Sequence, residues 1–395
     1  MIDRGWEIEF LGHNYYGQTL VSPIKFKDGF ELKFNLHGSG MKPHCQDIIT
    51  PKIYELKPDI FFTLLDTFMM VDNSPNWFLN TDLGMAKSVF YFPSDGGGGL
   101  PKSGGTDCAS VLKRVDVAVS MSRFGQRQVK ETEDFDVKYI PHAVDVKVYY
   151  PFNEVDKLKN RQKWSLKWGI DLRNKFLIGT VARNQGRKML DRTVKSFALI
   201  YKELPNAYLV LHTDPNDPAQ VSDLKKLISD LNIDNRVIFS GMTYYKGFEY
   251  FEMNELYNLF DVFALSTSGE GFGVPTIEAM ACEVPCVATD YTSTHELLIE
   301  DGVCGEAVKL SGTEISPLVH TNQILDGTLT GSWNVERGVM NIHDMKDKIV
   351  KLYHNESLRR QYGKVGREKV LLHYNWDTVL DMWDKLFSEL IQNDY

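Results

Sequence analysis

The sequence is poor in several features that would settle its class early. It has five cysteines in 395 residues (Cys45, Cys108, Cys282, Cys286 and Cys304), too few and too scattered for a disulfide framework. Cys282 and Cys286 stand close together in a helical stretch, but no His or Cys cluster completes a zinc site, so small buried residues are the plainer reading. No apolar run reaches the roughly 18 residues needed to cross a bilayer, and the opening MIDRGWEIEF lacks the build of a signal peptide. Positive charge is in deficit: 44 Lys and Arg stand against 53 Asp and Glu, a formal net charge of −9. A general nucleic-acid binder needs a basic face and is disfavoured. An anionic small substrate stays compatible where basic residues gather locally. Repeats and low-complexity tracts are lacking too. The expectation is a reduced, cytoplasmic, globular protein, free or peripheral at a membrane.

What is present is alternation. The chain is 43% hydrophobic and 25% charged, ordinary for a globular protein, and its length exceeds what one core usually supports, which suggests two domains. From about residue 175, FLIGTV (176–181), AYLVLHT (207–213), RVIFSG (236–241), DVFALST (261–267) and PCVATD (285–290) read as buried strands. MLDRTVKSFALIYKEL (189–204), QVSDLKKLISDL (220–231) and NELYNLF (254–260) read as helices between them. Near-continuous apolar strands separated by helices indicate a parallel sheet covered on both faces. The first 150 residues repeat the pattern more weakly, in WEIEFLG (6–12), FELKFNLHG (30–38), DIFFTLLD (59–66), SVFYFPSD (88–95), DVAVSMS (116–122) and VKYIPH (137–142). VDVKVYYPFNEVD (144–156) reads as the crossing into a second unit. Two such α/β units leave a cleft at the carboxyl ends of their strands. Beyond residue 342 the chain turns helical and closes on YNWDTVLDMWDKLFSELI (374–391), apolar at helical spacing.

The stretch STSGEGFGVPTIEAMA (266–281) carries the strongest chemistry. A strand leads into glycines and then a helix start marked by Pro275. Glycines at a helix start let amides approach a phosphate closely. Yet two carboxylates, Glu270 and Glu278, flank this turn. Like charges about 4 Å apart cost about 4 kcal/mol at an effective dielectric of 20, so these glutamates are better placed as acceptors from sugar or ribose hydroxyls. Taken singly, Glu278 is also readable as a first-turn glutamate favoured by the helix dipole, and Glu270 as a solvated loop charge. The counter-charge lies in GTVARNQGRKML (179–190), where Arg183, Arg187 and Lys188 follow a strand of the same sheet. Arg can fork onto two phosphate oxygens while Lys acts as a point charge. On the other unit, YFPSDGGGGLPKSGG (91–105) sets Asp95 before four glycines, where a turn-forming Asp is the plain reading. Asp66, ending an apolar strand, is a further cleft candidate, and His142 reads as structural.

At this point a resemblance is visible. EGFGVPTIEAMACEVPCVATD is similar to the E-x7-E region of retaining glycosyltransferases of family 4, GTVARNQGRKML resembles that family's R-x4-K loop, and IPHAVDVKVYYP resembles its interdomain segment. The resemblance implies a GT-B fold: two Rossmann-like, doubly wound parallel-sheet domains facing a cleft. It implies an acceptor-side domain over 1–148, a donor domain over 149–375, and a last helix, 376–395, returning to the first. It further implies that Glu270 holds donor-sugar hydroxyls and Glu278 the ribose. Arg183 and Lys188, with Arg187 beside them, would neutralise the diphosphate. Gly271, Phe272, Gly273, Val274 and Thr276 would lie against sugar and phosphates. GMTYYKG (241–247) reads either as a base-side loop, with Tyr244 or Tyr245 available for stacking, or as a surface aromatic loop. The donor is expected to be UDP- or GDP-linked, transfer to proceed with retention and without metal or cofactor, and the acceptor to be a hydroxyl of a glycan, lipid-linked or small molecule. Asp95 falls where a related subgroup has a similar Pro-x-Asp and others carry a catalytic-site His, which makes it a candidate for acceptor contact beside the turn-forming reading.

Departures accompany the resemblance. Glu283 and Ala143 stand where relatives usually have glycine, tolerable where the backbone keeps a negative φ. MIDRGWEIEFLG resembles the end of the first helix and the second strand of the family's first domain. An incomplete amino-terminal sheet is therefore expected, with self-association as one way to cover it. The alternative to an enzyme is a catalytically impaired nucleotide-sugar-binding or assembly protein. A nicotinamide dehydrogenase is disfavoured, since no G-x-G-x-x-G follows a strand.

Overall fold

The computed structural model describes every residue except 14, 26–30, 43, 71–77, 101, 104–105, 219, 244, 319–332 and 393–395. In the first unit, β1 (Glu9–Leu11) and β2 (Asn35–His37) form a separate parallel pair. Strands β3 (Ile60–Leu64), β4 (Lys87–Phe92), β5 (Val117–Ser120) and β6 (Lys138–Tyr139) make a parallel sheet ordered β6-β5-β4-β3. Helices α1 (Ile49–Leu56), α2 (Cys108–Arg114) and α3 (Arg123–Glu133) belong to this unit. Among the described residues β3 is an edge strand of that sheet, with Phe62 42% and Leu64 49% exposed. The expected long strand over 30–38 is broken in two, at Glu31–Leu32 and Asn35–His37.

The second unit follows its apolar runs closely. Strands β7 (Phe176–Val181), β8 (Ala207–His212), β9 (Val237–Phe239), β10 (Val262–Leu265), β11 (Cys286–Thr289) and β12 (Gly305–Val308) form one parallel sheet ordered β9-β8-β7-β10-β11-β12. All six residues of β7 are buried, as a strand covered on both faces requires. The helices are α4 (Glu154–Trp168), α5 (Leu190–Glu203), α6 (Leu224–Asp230), α7 (Tyr250–Tyr257), α8 (Val274–Ala281), α9 (Ser293–Leu298), α10 (Ile342–His354), α11 (Glu356–His373) and α12 (Trp376–Gln392). Between β12 and α10 the chain makes an antiparallel hairpin of β13 (Leu310–Leu318) and β14 (Trp333–Met340), which no sequence pattern announced. Because the order reverses between β7 and β10, the loops leaving those strands share one crevice, where doubly wound sheets bind ligands.

One apolar core runs from Tyr91 and Val119 of the first unit through Val144 and Tyr149 to Leu177, Phe263 and Phe272. Helix α12 seals it from the first unit's side. Its Trp383 meets Phe62 and Tyr91 with ring centroids 5.2 and 5.0 Å apart, and its Asp384 accepts from Trp6 Nε1 at 2.7 Å. Among the described residues no helix is long and apolar enough to cross a membrane.

Glu283 does not meet the condition of a negative φ. Its φ is 57°, because the chain leaves α8 for β11 through a left-handed residue, a position that suits glycine. The turn cannot relax, since a Cβ on Gly363 of α11 would lie only 2.2 Å from the Glu283 carbonyl oxygen. Ala143 is not among the positive-φ residues. A left-handed conformation costs a non-glycine residue about 1–2 kcal/mol, and glycine's freedom in the unfolded chain offsets part of that. Glu283→Gly is therefore expected to raise the midpoint of thermal unfolding by roughly 1–3 °C. A lower or unchanged midpoint would show that the Glu283 side chain outweighs the strain.

Candidate active site

The crevice at the switch point is built by two loops stitched together through main-chain atoms. Ser266 Oγ donates to the Lys188 and Met189 carbonyls at 3.0 and 2.7 Å. Ser268 donates to the Arg187 carbonyl through its amide at 2.6 Å and its hydroxyl at 3.0 Å. These bonds fix the loop after β7 against the turn after β10. Glu270, 3% exposed, then lies between two cations: Lys188 Nζ donates to its Oε1 at 2.5 Å and Arg187 Nη1 to its Oε2 at 2.9 Å. Thr292 Oγ1 accepts from the Glu270 amide at 2.9 Å and donates back to its carbonyl at 3.0 Å. Burial alone would push the Glu270 carboxyl up, but Arg187 and Lys188 outweigh it and hold it at about 2. For Lys188 burial is the larger influence and lowers it against the pull of Glu270. The carboxylate is ionised either way and matched by two donors.

The first unit supplies the opposite wall. Asp95 Oδ2 lies 3.5 Å from Arg187 Nε and its Oδ1 lies 3.2 Å from Arg337 Nη1. Arg337, 4% exposed on β14, also donates to the Asp95 carbonyl. Asp66 completes the group: burial and then Asp95 push its carboxyl up to about 6, against the pull of Arg187 and Arg337. The glycines of the turn admit this wall. A Cβ on Gly269 would fall 1.9 Å from the Asp95 carbonyl oxygen, and one on Gly271 would fall 2.4 Å from Pro93 Cβ. Gly273, with φ 101°, opens α8 from the left-handed region.

Other sequence candidates lie apart from this cluster. Arg183 forks onto the buried Asp217, with Nε–Oδ2 and Nη2–Oδ1 at 2.6 and 3.1 Å, on a side chain 40% exposed. Glu278 faces the hinge: Tyr257 Oη donates to its Oε2 at 2.7 Å, and burial raises its pKa against the hydrogen bonds of Tyr257 and Tyr149. Thr276 Oγ1 is buried with no partner among the described residues. Val274 is half-buried and Phe272 buried. Phe272 packs edge-on to His142, which also meets Tyr91; burial lowers His142 to about 4, so it is a neutral packing group. Tyr244 lies outside the described residues. Among the described residues no group of three or more His, Cys, Asp and Glu side chains is placed to hold a metal ion.

Two members of the cluster escaped attention in the sequence. Arg337 carries no motif, and only the hairpin brings it to Asp95. Tyr291, whose Oη accepts from the Gly97 amide at 2.9 Å, sits in a segment with no chemical signature.

Asp66 generates a pH prediction. An unperturbed Asp titrates near about 3.9, whereas the folded-state group titrates at about 6. Below both values the protonated carboxyl costs nothing. Between them the unfolded chain releases its proton first, so this group's contribution falls as pH rises and is lost above the folded value. Asp66→Asn is expected to stabilise the protein by about 1–3 kcal/mol at pH 8 and by roughly half as much at pH 5. Urea unfolding at the two pH values measures the difference, and an equal effect at both would contradict the burial of this carboxyl.

Comparison with known proteins agrees with the geometry. Residues 160–313 match the family model described as Glycosyl transferases group 1. N-acetyl-alpha-D-glucosaminyl L-malate synthase of Bacillus anthracis is 23% identical over 280 residues, 71% of this chain and 61% of that protein. Lipopolysaccharide core biosynthesis mannosyltransferase LpsB of Rhizobium meliloti is 29% identical over 190 residues, 48% of this chain and 49% of that protein. The chain thus spans about three fifths or less of these two relatives. Among solved structures, sucrose-phosphate synthase from Thermosynechococcus elongatus superposes with a TM-score of 0.72 at 15% identity, covering 99% of this chain and 91% of that one. Anabaena HepE, solved in complex with UDP and glucose, gives 0.65 at 15% identity, covering 90% and 86%. The chain therefore has the GT-B fold of two Rossmann-like units, and the stretch of its second unit over 160–313 is similar to the group 1 glycosyl transferases.

Proposed function

We propose that this protein transfers a hexose from a nucleoside diphosphate sugar, UDP- or GDP-linked, to a hydroxyl of an acceptor, with retention of configuration and without a metal or cofactor. The observation that carries the reading is Glu270 held between Arg187 and Lys188 at the switch point, with Asp95 of the other unit across from it. Two cations on one loop suit the paired charges of a diphosphate. A carboxylate beside them suits sugar hydroxyls, which give it hydrogen bonds in exchange for the cations. In the reaction the bond between the anomeric carbon and the phosphate oxygen breaks, and its electron pair leaves with the diphosphate. The acceptor oxygen attacks from the same face and passes its proton to the departing phosphate oxygen. Arg187 and Lys188 stabilise the charge that develops there, so catalysis rests on positioning and electrostatics. Arg183 joins them by its motif, although this structure ties it to Asp217. Glu278, near Tyr149 and Tyr257 at the hinge side of α8, is the ribose candidate. Asp95 is the acceptor-side candidate, and the resemblance of HepE, whose structure holds UDP and glucose, supports the donor class.

The test is a thermal-shift panel of UDP, GDP, ADP, TDP and their sugar conjugates. At 100 times its dissociation constant a ligand adds about 2.7 kcal/mol of stability. One nucleotide family is expected to shift the protein, less so in Glu278→Ala, and the sugar conjugate is expected to bind more tightly than the bare diphosphate. Hydrolysis of that donor is expected to fall by about 100-fold or more in Glu270→Ala and Lys188→Ala, and to be unaffected by EDTA. Binding without turnover would favour the assembly-protein reading, and no binding at all would sink the donor site.

A further inference from the structure

We propose that Arg337 is a positioning residue for Asp95, and that the β13–β14 hairpin is the element that fixes the acceptor-side loop 93–97 against the donor turn. The inference rests on the reading of Asp95 as the acceptor-side group. Its observations are independent of any ligand. Arg337 holds Asp95 twice, through the carbonyl and the carboxylate. One residue earlier, the Glu336 carbonyl accepts from the Gly97 amide at 3.0 Å. Tyr291 Oη donates toward Glu336 at 3.1 Å and accepts from the same Gly97 amide at 2.9 Å. Val335 packs against Gly96 so closely that a Cβ there would lie 1.9 Å from its Cγ1. The hairpin is anchored in turn to the donor turn, since Gly338 N donates to the Ser268 carbonyl at 3.0 Å. Three consecutive hairpin residues thus read the Asp95–Gly97 backbone while the next is bonded beside Glu270. A buried guanidinium is a costly device for packing alone, because leaving it or its partner unmatched is strongly destabilising. Here it sets the distance between Asp95 and the Arg187–Glu270–Lys188 group.

Hydrogen–deuterium exchange on the whole chain is the direct test. In Arg337→Gln the amides of residues 94–100 are expected to exchange about 10-fold faster or more, with Arg337→Lys intermediate. Unchanged exchange in Arg337→Gln overturns the proposal, whatever the donor proves to be. The second arm uses hydrolysis of the UDP- or GDP-sugar identified by thermal shift. Arg337→Gln is expected to lower kcat by about 10–100-fold and to leave the donor KM within about twofold. Arg337→Lys is expected to recover part of kcat, and Arg337→Gln is expected to add little in an Asp95→Asn background, because residues acting through one another are not additive. A donor KM that rises as far as kcat falls, or fully additive effects, would reduce Arg337 to a general packing role and refute the proposal. A wild type that neither binds nor hydrolyses any sugar nucleotide sinks the donor reading instead, and the exchange arm still decides on Arg337.

Discussion

The structure turns on one nearly sealed carboxylate. Glu270 sits at the mouth of a parallel sheet, on a turn that opens a helix, with almost no water contact. A buried charge in such a place is tolerable only if it is paired and hydrogen-bonded. Arg187 and Lys188 meet that demand with separate oxygens, and the hydroxyls of Ser266, Thr267 and Ser268 hold the main chain that carries them. Thr292 and Ser293, at the start of α9, hold the Glu270 backbone from the other side. Remove the ion pairs and these polar contacts have nothing to align. Arg187 also reaches Asp95, so the same pairing that stabilises the donor turn registers the two units against each other.

That registration has two further supports, on opposite flanks of the crevice. On one, the hairpin grips loop 93–97. On the other, Glu296 of α9 accepts from the Phe124 amide at 2.8 Å, at the first turn of α3 in the first unit, a favourable place for a carboxylate. Arg123 and Arg127 of α3 answer with Asp301 and Glu300 at 2.5 and 2.9 Å. Buried Lys369 anchors the segment bearing those carboxylates by donating to the Leu297, Glu300 and Gly302 carbonyls. The proposed transfer needs the two units at a defined distance, because a small misplacement of reacting groups costs much of the rate. Charged contacts with many donors add direction and register to the apolar core that already runs through both units.

The parts of this arrangement legible in the sequence share one property: their partners are local or dictated by sheet topology. Strands β7 to β11 were readable because a doubly covered sheet leaves uninterrupted apolar runs. Glu270 and Lys188 were readable because two strand-end loops of one sheet converge at a switch point. Which arginine of GTVARNQGRKML turns toward Glu270 was not, because a 3-10 turn at Gly186–Lys188 and the left-handed Met189 re-aim the loop. Arg187 ends on Glu270, and Arg183 ends on Asp217. The sign of φ at Glu283 was not legible for the same reason, as it depends on how α11 packs over the turn. Arg337 was invisible: its partner lies 242 positions away, and nothing in WNVERGVM says where an arginine side chain will end. The glycines at 269 and 271 were read as room for a phosphate, yet their nearest obstacles are Pro93 and Asp95.

The charge count explains why such a site can both stand alone and take an anion. Arg187, Lys188 and Arg337 face Glu270, Asp95 and Asp66, so the group is close to neutral when all six are charged. A diphosphate added to a neutral, poorly hydrated group would leave negative charge unmatched. A sugar nucleotide avoids this by exchange of partners. On the proposed reading, phosphate oxygens would take over the cations from Glu270 and sugar hydroxyls the Glu270 oxygens, so that every charge keeps a hydrogen-bonded partner throughout. Asp66, whose carboxyl burial pushes up to about 6, supplies a further adjustment, since an approaching anion favours its protonated form. A bare diphosphate satisfies only half of this exchange, because it displaces Glu270 and offers it no donor. Under the proposed function, discrimination for the intact donor would thus follow from one carboxylate sharing its cations with the leaving group.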